Sequence, residues 1–160
     1  MSRRAVAIFA VGAAAFVTPV AVCSADPVVP QPGTACEATV ADAMTWPADA
    51  KAPLECTGGA WQAVATPYPA SDAWVSYGPP MKLHGEGLRN PVISSGAWTA
   101  TPLKSGARCR AEQLAVVPDV GTGPPQVTEG EPGRVLSLEV VPLLFSIEMS
   151  GECLWRKANG

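Results

Sequence analysis

The chain is poor in the residues from which active sites are most often assembled. His84 is the one histidine among 160 residues, and charged side chains make up only 16% of the sequence. A histidine-based nucleophilic triad would have to be built on His84. Neither G-x-S-x-G nor S-x-x-K occurs, so the usual serine-nucleophile signatures are missing. No C-x-x-C pair is present to start a structural zinc site. His84-x-Glu86 begins as a zinc deaminase motif does, but the later P-C-x-x-C that would complete the metal site is absent. The glycines of Gly85-Glu86-Gly87-Leu88-Arg89-Asn90 lack the Lys-Ser/Thr ending of a phosphate loop and fit a turn better. Nothing singles out two of the 14 acidic residues as the carboxylate pair of a glycoside hydrolase. No metal and no cofactor is expected. With 11 basic residues against 14 acidic ones, nucleic acid is a poor partner.

What the chain does have begins at its N-terminus. Arg3-Arg4 precedes an apolar run from Ala5 to Val22, and Cys23-Ser24-Ala25 leads into Asp26-Pro27. A basic start, an apolar middle and small residues at the third and first positions before a cut have the form of an export signal, residues 1–25, cleaved after Ala25. A retained membrane anchor fits less well, because the run ends in small residues and passes into an acidic, proline-rich segment. Lipidation at Cys23 would need a small residue where Val22 stands, and the residues after Arg3-Arg4 match the twin-arginine route only in part. Removing Arg3 and Arg4 makes the remaining chain more acidic than the full chain's net charge of −3. The expected product is a soluble extracytoplasmic protein, secreted or held in the cell envelope, with no membrane span after cleavage.

Four cysteines remain after Cys23 is removed: Cys36, Cys56, Cys109 and Cys153. An even count outside the cytoplasm predicts two disulfides. All three connectivities stay open, with chain proximity favouring Cys36 with Cys56 and Cys109 with Cys153. Each bridge would contribute about 2–4 kcal/mol. Residues 26–35 carry three prolines and predict an extended arm, a tether or loose edge. Residues 36–160 are expected to form a single β-rich domain.

A short helix is expected over Glu37–Met44, stopped by Pro47. After residue 53, short runs punctuated by glycine and proline predict all-β structure. Leu54–Cys56 and Ala60–Ala65 flank Thr57-Gly58-Gly59 as a hairpin, followed by strands at Ala73–Tyr77, Met81–His84, Ala97–Thr101 and Arg108–Val117. In Val135–Val141 the residues Leu136, Leu138 and Val140 share a face. In Leu143–Met149 the alternation places Leu143, Phe145, Ile147 and Met149 together. Cys153–Lys157 is the last strand. About eight strands predict an antiparallel sandwich or partly closed barrel stabilised by two disulfides. Pro118–Gly133, with four prolines and four glycines, is expected to be a mobile surface loop or a binding loop.

Five tryptophans stand out: Trp46, Trp61, Trp74, Trp98 and Trp155. Core packing is expected for Trp61, Trp98 and Trp155. Trp74, with Tyr68 and Tyr77, forms an aromatic stretch between prolines that suits stacking on a sugar or a partner protein. Arg108, Arg110 and Glu112 alternate about Cys109 and predict a solvated charge row. The candidate binding residues are therefore Tyr68, Trp74, Tyr77 and His84, with the Pro118 loop beside them. No catalytic residue is selected.

The Leu54-x-Cys56-x-x-Gly59-x-Trp61 hairpin, the Trp74-Val-Ser-Tyr-Gly-Pro-Pro stretch, Leu83-His84-Gly85-Glu86-Gly87 and the ending Ser150-Gly-Glu-Cys153-Leu-Trp155 together resemble a small exported protein of mycobacteria. The likeness covers most of the chain after residue 25, and it is to conserved exported proteins of unknown function. It implies a location and supplies no site residues. The expectation is a non-catalytic binding or interaction module whose partner is an envelope protein or glycan. The alternatives are a small envelope-polymer hydrolase using His84 and Glu86, or a structural envelope protein held by the arm.

Overall fold

A computed structural model describes residues 28–158. The expected export signal, residues 1–25, and its expected cleavage site lie outside the described residues. The chain makes ten strands: β1 (Met44–Thr45), β2 (Leu54–Thr57), β3 (Ala60–Ala63), β4 (Ala73–Leu83), β5 (Gly96–Pro102), β6 (Arg110–Val117), β7 (Gly121–Thr122), β8 (Gln126–Glu129), β9 (Leu136–Val140) and β10 (Leu144–Lys157). The expected all-β fold with two disulfides is present, as Cys36–Cys56 and Cys109–Cys153. The sheet is mixed, since β1 runs parallel to β4 while every other pair is antiparallel, and it does not close.

The spine is β10, fourteen residues long. One edge pairs with β4 from Ile147 to Arg156. Its other edge is shared: β6 takes Leu144–Ser150 and β5 takes Cys153–Lys157. The sheet therefore forks at Gly151, which lies between the two partners at φ 90° and whose Cβ, if it had one, would overlap the carbonyl oxygen of Arg108. Only glycine fits there. The Cys109–Cys153 disulfide ties the start of β6 to β10 beside the fork. One branch continues to β9 and the other to β8 and β7.

Where the branches face each other, Gln113 of β6 bridges them. Its buried amide donates to Glu139 O at 3.0 Å and accepts from Val141 N at 3.0 Å, so a side chain satisfies backbone groups that no neighbouring strand pairs. The main core fills the space between, with Trp74, Trp98, Trp155, Leu138, Ile147 and Met149 among its residues. Each of these indoles keeps its N–H bonded: Trp74 to Ser71 O, Trp98 to Ser94 O and Trp155 to Ser76 Oγ at 2.9 Å. A second cluster, around Val40, Leu54, Trp61 and Val75, sits on the opposite face of β4.

Several expectations change. The two strands expected within 73–84 are one, because Pro79 and Pro80 together oppose Ser150 in a bulge between the pairs Gly78–Gly151 and Met81–Met149. A bulge leaves residues unpaired, which suits prolines. The strands expected at 143–149 and 153–157 are likewise one. The alternation at the start of β10 is shifted by an extra residue at Phe145, between the pairs Leu144–Ala115 and Ser146–Leu114. Ile147 and Met149 are buried as expected, but Leu144 is buried and Leu143 is half exposed. The helix expected over 37–44 is a single 3-10 turn, Ala38–Val40. Asp42 turns out of it at φ 60°, and Ala43 O accepts from Cys56 N. The Pro118–Gly133 segment is not simply a loop, since it contains β7 and β8 packed on β6. Arg108 and Arg110 form the expected charge row with Glu112 and Glu129.

Candidate functional site

The end of the expected loose arm, from Gly33 onward, is pinned. Gly33 N donates to Trp61 O, Trp61 N to Thr34 O and Cys36 N to Gly59 O, extending the hairpin of β2 and β3 by one short edge. The pairing is local chemistry: Gly58 and Gly59 both take positive φ, which a two-residue hairpin turn needs. Pro32 and Gly33 occupy the middle of a turn closed by Thr34 N on Gln31 O at 3.0 Å, with Gly33 at φ 84°, the arrangement of a type II turn. That turn folds the preceding residues back, and Pro30 is buried.

Pro30 lies between two clefts and lines both, together with Tyr77. The first, about 300 Å³, is walled by Trp46, Pro47, Pro79, Pro80 and Met81. The second, about 390 Å³, is walled by Val40, Trp61 and Leu103, with Lys104 and Glu152 also on its lining. Lys104 and Glu152 are ion-paired at 2.6 Å. The prolines reach the surface because β1 pairs with β4 only at Met44–Trp74. Among the described residues, no strand covers that edge of β4 beside Pro79 and Pro80.

Tyr77 packs edge-on against Trp61, with ring centroids 6.1 Å apart. Burial, and then the negative charge of Glu37, push its phenol up to about 12. The hydroxyl, neutral at physiological pH as any phenol is, therefore stays protonated further into the alkaline range. Tyr77 thus presents an apolar ring and one polar tip, beside Trp46, Pro79 and Pro80 in the first cleft and Trp61, Val40 and Leu103 in the second.

The other candidate residues lie elsewhere. Trp74 is completely buried in the main core and bonded to Ser71 O, so it is not a contact residue as expected. Residues 74 and 77 of a strand point to opposite faces, and only Tyr77 faces the clefts. Tyr68 and His84 line a separate hollow with Arg89 and Asn90. Tyr68 packs edge-on against Trp46 at 5.2 Å and its hydroxyl donates to Lys51 O. His84 Nε2 lies 2.8 Å from Asn90 O, and Glu86 accepts from Ser95 Oγ at 2.6 Å. Both side chains brace the 84–95 segment. Among the described residues, no cluster of three or more His, Cys, Asp or Glu side chains is placed to hold a metal ion, and no helix is long and apolar enough to cross a membrane.

Trp46 is the residue that sequence reasoning passed over. It follows a two-residue strand and precedes Pro47, and its half-buried ring forms a wall of both the first cleft and the Tyr68 hollow. A tryptophan at a proline-bounded turn, outside any alternating run, is the signal that marks it.

No family model matches the chain, and no curated protein and no solved structure matches it.

Proposed function

We propose that this protein is an exported, non-catalytic binding module of the cell envelope or its surroundings, and that it makes its contacts through the clefts around Tyr77. The observation that carries this reading is the wall chemistry. Trp46, Tyr77, Pro79 and Pro80 converge on a groove rich in apolar surface, with the Tyr77 hydroxyl as its polar tip. Such a groove suits recognition by shape and stacking. The two disulfides fit an oxidising compartment, in keeping with the export signal at residues 1–25 and the resemblance to mycobacterial exported proteins. The hydrolase alternative draws less support, because His84 and Glu86 are engaged with Asn90 and Ser95.

The test compares the unaltered protein with Tyr77→Ala and His84→Ala against an isolated cell-envelope fraction, following both co-sedimentation and release of soluble fragments. The expected result is sedimentation that falls at least about tenfold in Tyr77→Ala, is unchanged in His84→Ala, and releases no fragments. Fragment release that disappears in His84→Ala would overturn the reading in favour of the hydrolase.

A further inference from the structure

The groove already holds a ligand of a definite kind, supplied by its own chain. Val28-Val29-Pro30-Gln31-Pro32 carries no charge. The type II turn at Pro32-Gly33 returns it over Tyr77, and Pro30 is its seated residue. Val28 by contrast is 85% exposed and Val29 38%, so the proline is the most deeply seated residue of the segment. Removing Pro30 from its place would join the two clefts along Tyr77, since these are the two residues they share. The joined groove would run from Trp46, Pro79 and Pro80 to Trp61 and Leu103. Aromatic-walled grooves with a phenol or indole tip take proline-bearing extended peptides, whose fixed φ lowers the entropy lost on binding.

Deepening the binding-module reading, on which it rests, we propose that the groove along Tyr77 is a receptor for an uncharged, proline-bearing extended segment of a partner protein, with Pro30 occupying the proline seat until the partner displaces it. The arm is a tethered competitor. Its pins at Gly33, Thr34 and Cys36 and the Cys36–Cys56 disulfide keep it close to the seat at high effective concentration. Those same pins disfavour arm exchange between two copies, because only the residues before Gly33 are free to leave.

The test uses the chain from Asp26 onward with both disulfides formed, and as probe a capped, uncharged peptide of residues 28–34, followed by tryptophan fluorescence. The peptide is expected to bind Pro30→Ala at least about tenfold more tightly than the unaltered chain, because the competitor has lost its anchor. A peptide with alanine in place of its proline 30 should bind at least about tenfold more weakly. Gly33→Ala, which disfavours the positive φ of the turn, is a second way to loosen the arm and should also raise affinity. Failure of the peptide to saturate either variant, with thermal unfolding still cooperative, would overturn the proposal. So would equal affinity for the unaltered chain and both variants. A concentration-dependent dimer of the unaltered chain that the peptide dissolves would assign the seat to a second copy and overturn the partner assignment. If the peptide fails while Tyr77-dependent sedimentation persists, the peptide proposal falls and the binding-module reading stands.

Discussion

Two aromatic residues three positions apart on β4 show how the faces of this strand differ. Trp74 points into the main core, is fully buried and has its N–H bonded to Ser71 O. Tyr77 points to the other face, is half-buried and lies between two clefts. The core side is a region of completed polar partnerships: Gln113 closes the gap between branches, and the Ser76 hydroxyl accepts from Trp155 while donating to Gly151 O at 2.7 Å. The cleft side has its own small core around Val40, Leu54 and Trp61, and beyond it Tyr77 and Trp46 are only half-buried beside the exposed Pro79 and Pro80. Polar partners do not separate the two groups, since Trp46 Nε1 also donates to Ala50 O at 3.2 Å; what separates them is cover, because beside Pro79 and Pro80 no strand among the described residues closes the edge of β4.

That contrast is sharpest in stability. Trp74→Ala is expected to cost about 3–5 kcal/mol in denaturant unfolding, whereas Tyr77→Ala should cost clearly less, because its ring is only partly covered. Equal losses would break the distinction between the two faces. Replacing Cys109 and Cys153 with serine should cost about 2–5 kcal/mol, because it releases the fork at which β10 changes partners. Gln113→Leu leaves Val141 N–H and Glu139 C=O without their bridge, at about 1–3 kcal/mol, and amide exchange at Val141 should accelerate. The phenol of Tyr77 gives a pH test. Its folded value is raised from 10.0 to about 12, so its contribution is fully present below pH 10 and is lost as pH rises through about 12. Tyr77→Phe should reduce the stability loss over that window, measured by unfolding at fixed pH. The smallest effect is expected at Lys82→Met: removing the exposed 3.2 Å pair with Glu148 should change stability by less than about 1 kcal/mol.

Local patterns in the sequence were enough to find much of this architecture. The Gly58-Gly59 hairpin, the alternation of Leu136, Leu138 and Val140, and the burial of Trp61, Trp98 and Trp155 follow from turn chemistry, a period of two and apolar area. What stayed hidden depended on pairing across the sheet. Gly78-Pro79-Pro80 and Gly151 look like strand breaks, yet the first is a bulge in β4 and the second a change of neighbour along β10. No local pattern announces a fork. Proximity in the chain groups Trp74 with Tyr77, whereas the alternation of a strand sends residues 74 and 77 to opposite faces. Trp46 takes its place from contacts distant in the chain, its backbone N–H against Met81 Sδ and its ring against Tyr68, and Pro30 from the pairing of residues 33–36 with the edge at Gly59 and Trp61; neither is written in a local pattern.

The most direct test of the central claim is a backbone amide chemical-shift map of the Pro30→Ala chain as the peptide of residues 28–34 is added. The account predicts saturable shifts confined to Thr45–Ala50, the Trp61 edge, Tyr77–Met81 and Leu103, with the amides of Trp98, Ile147 and Trp155 unmoved. Shifts centred on His84, Glu86 and Asn90, or spread through the main core, would contradict it.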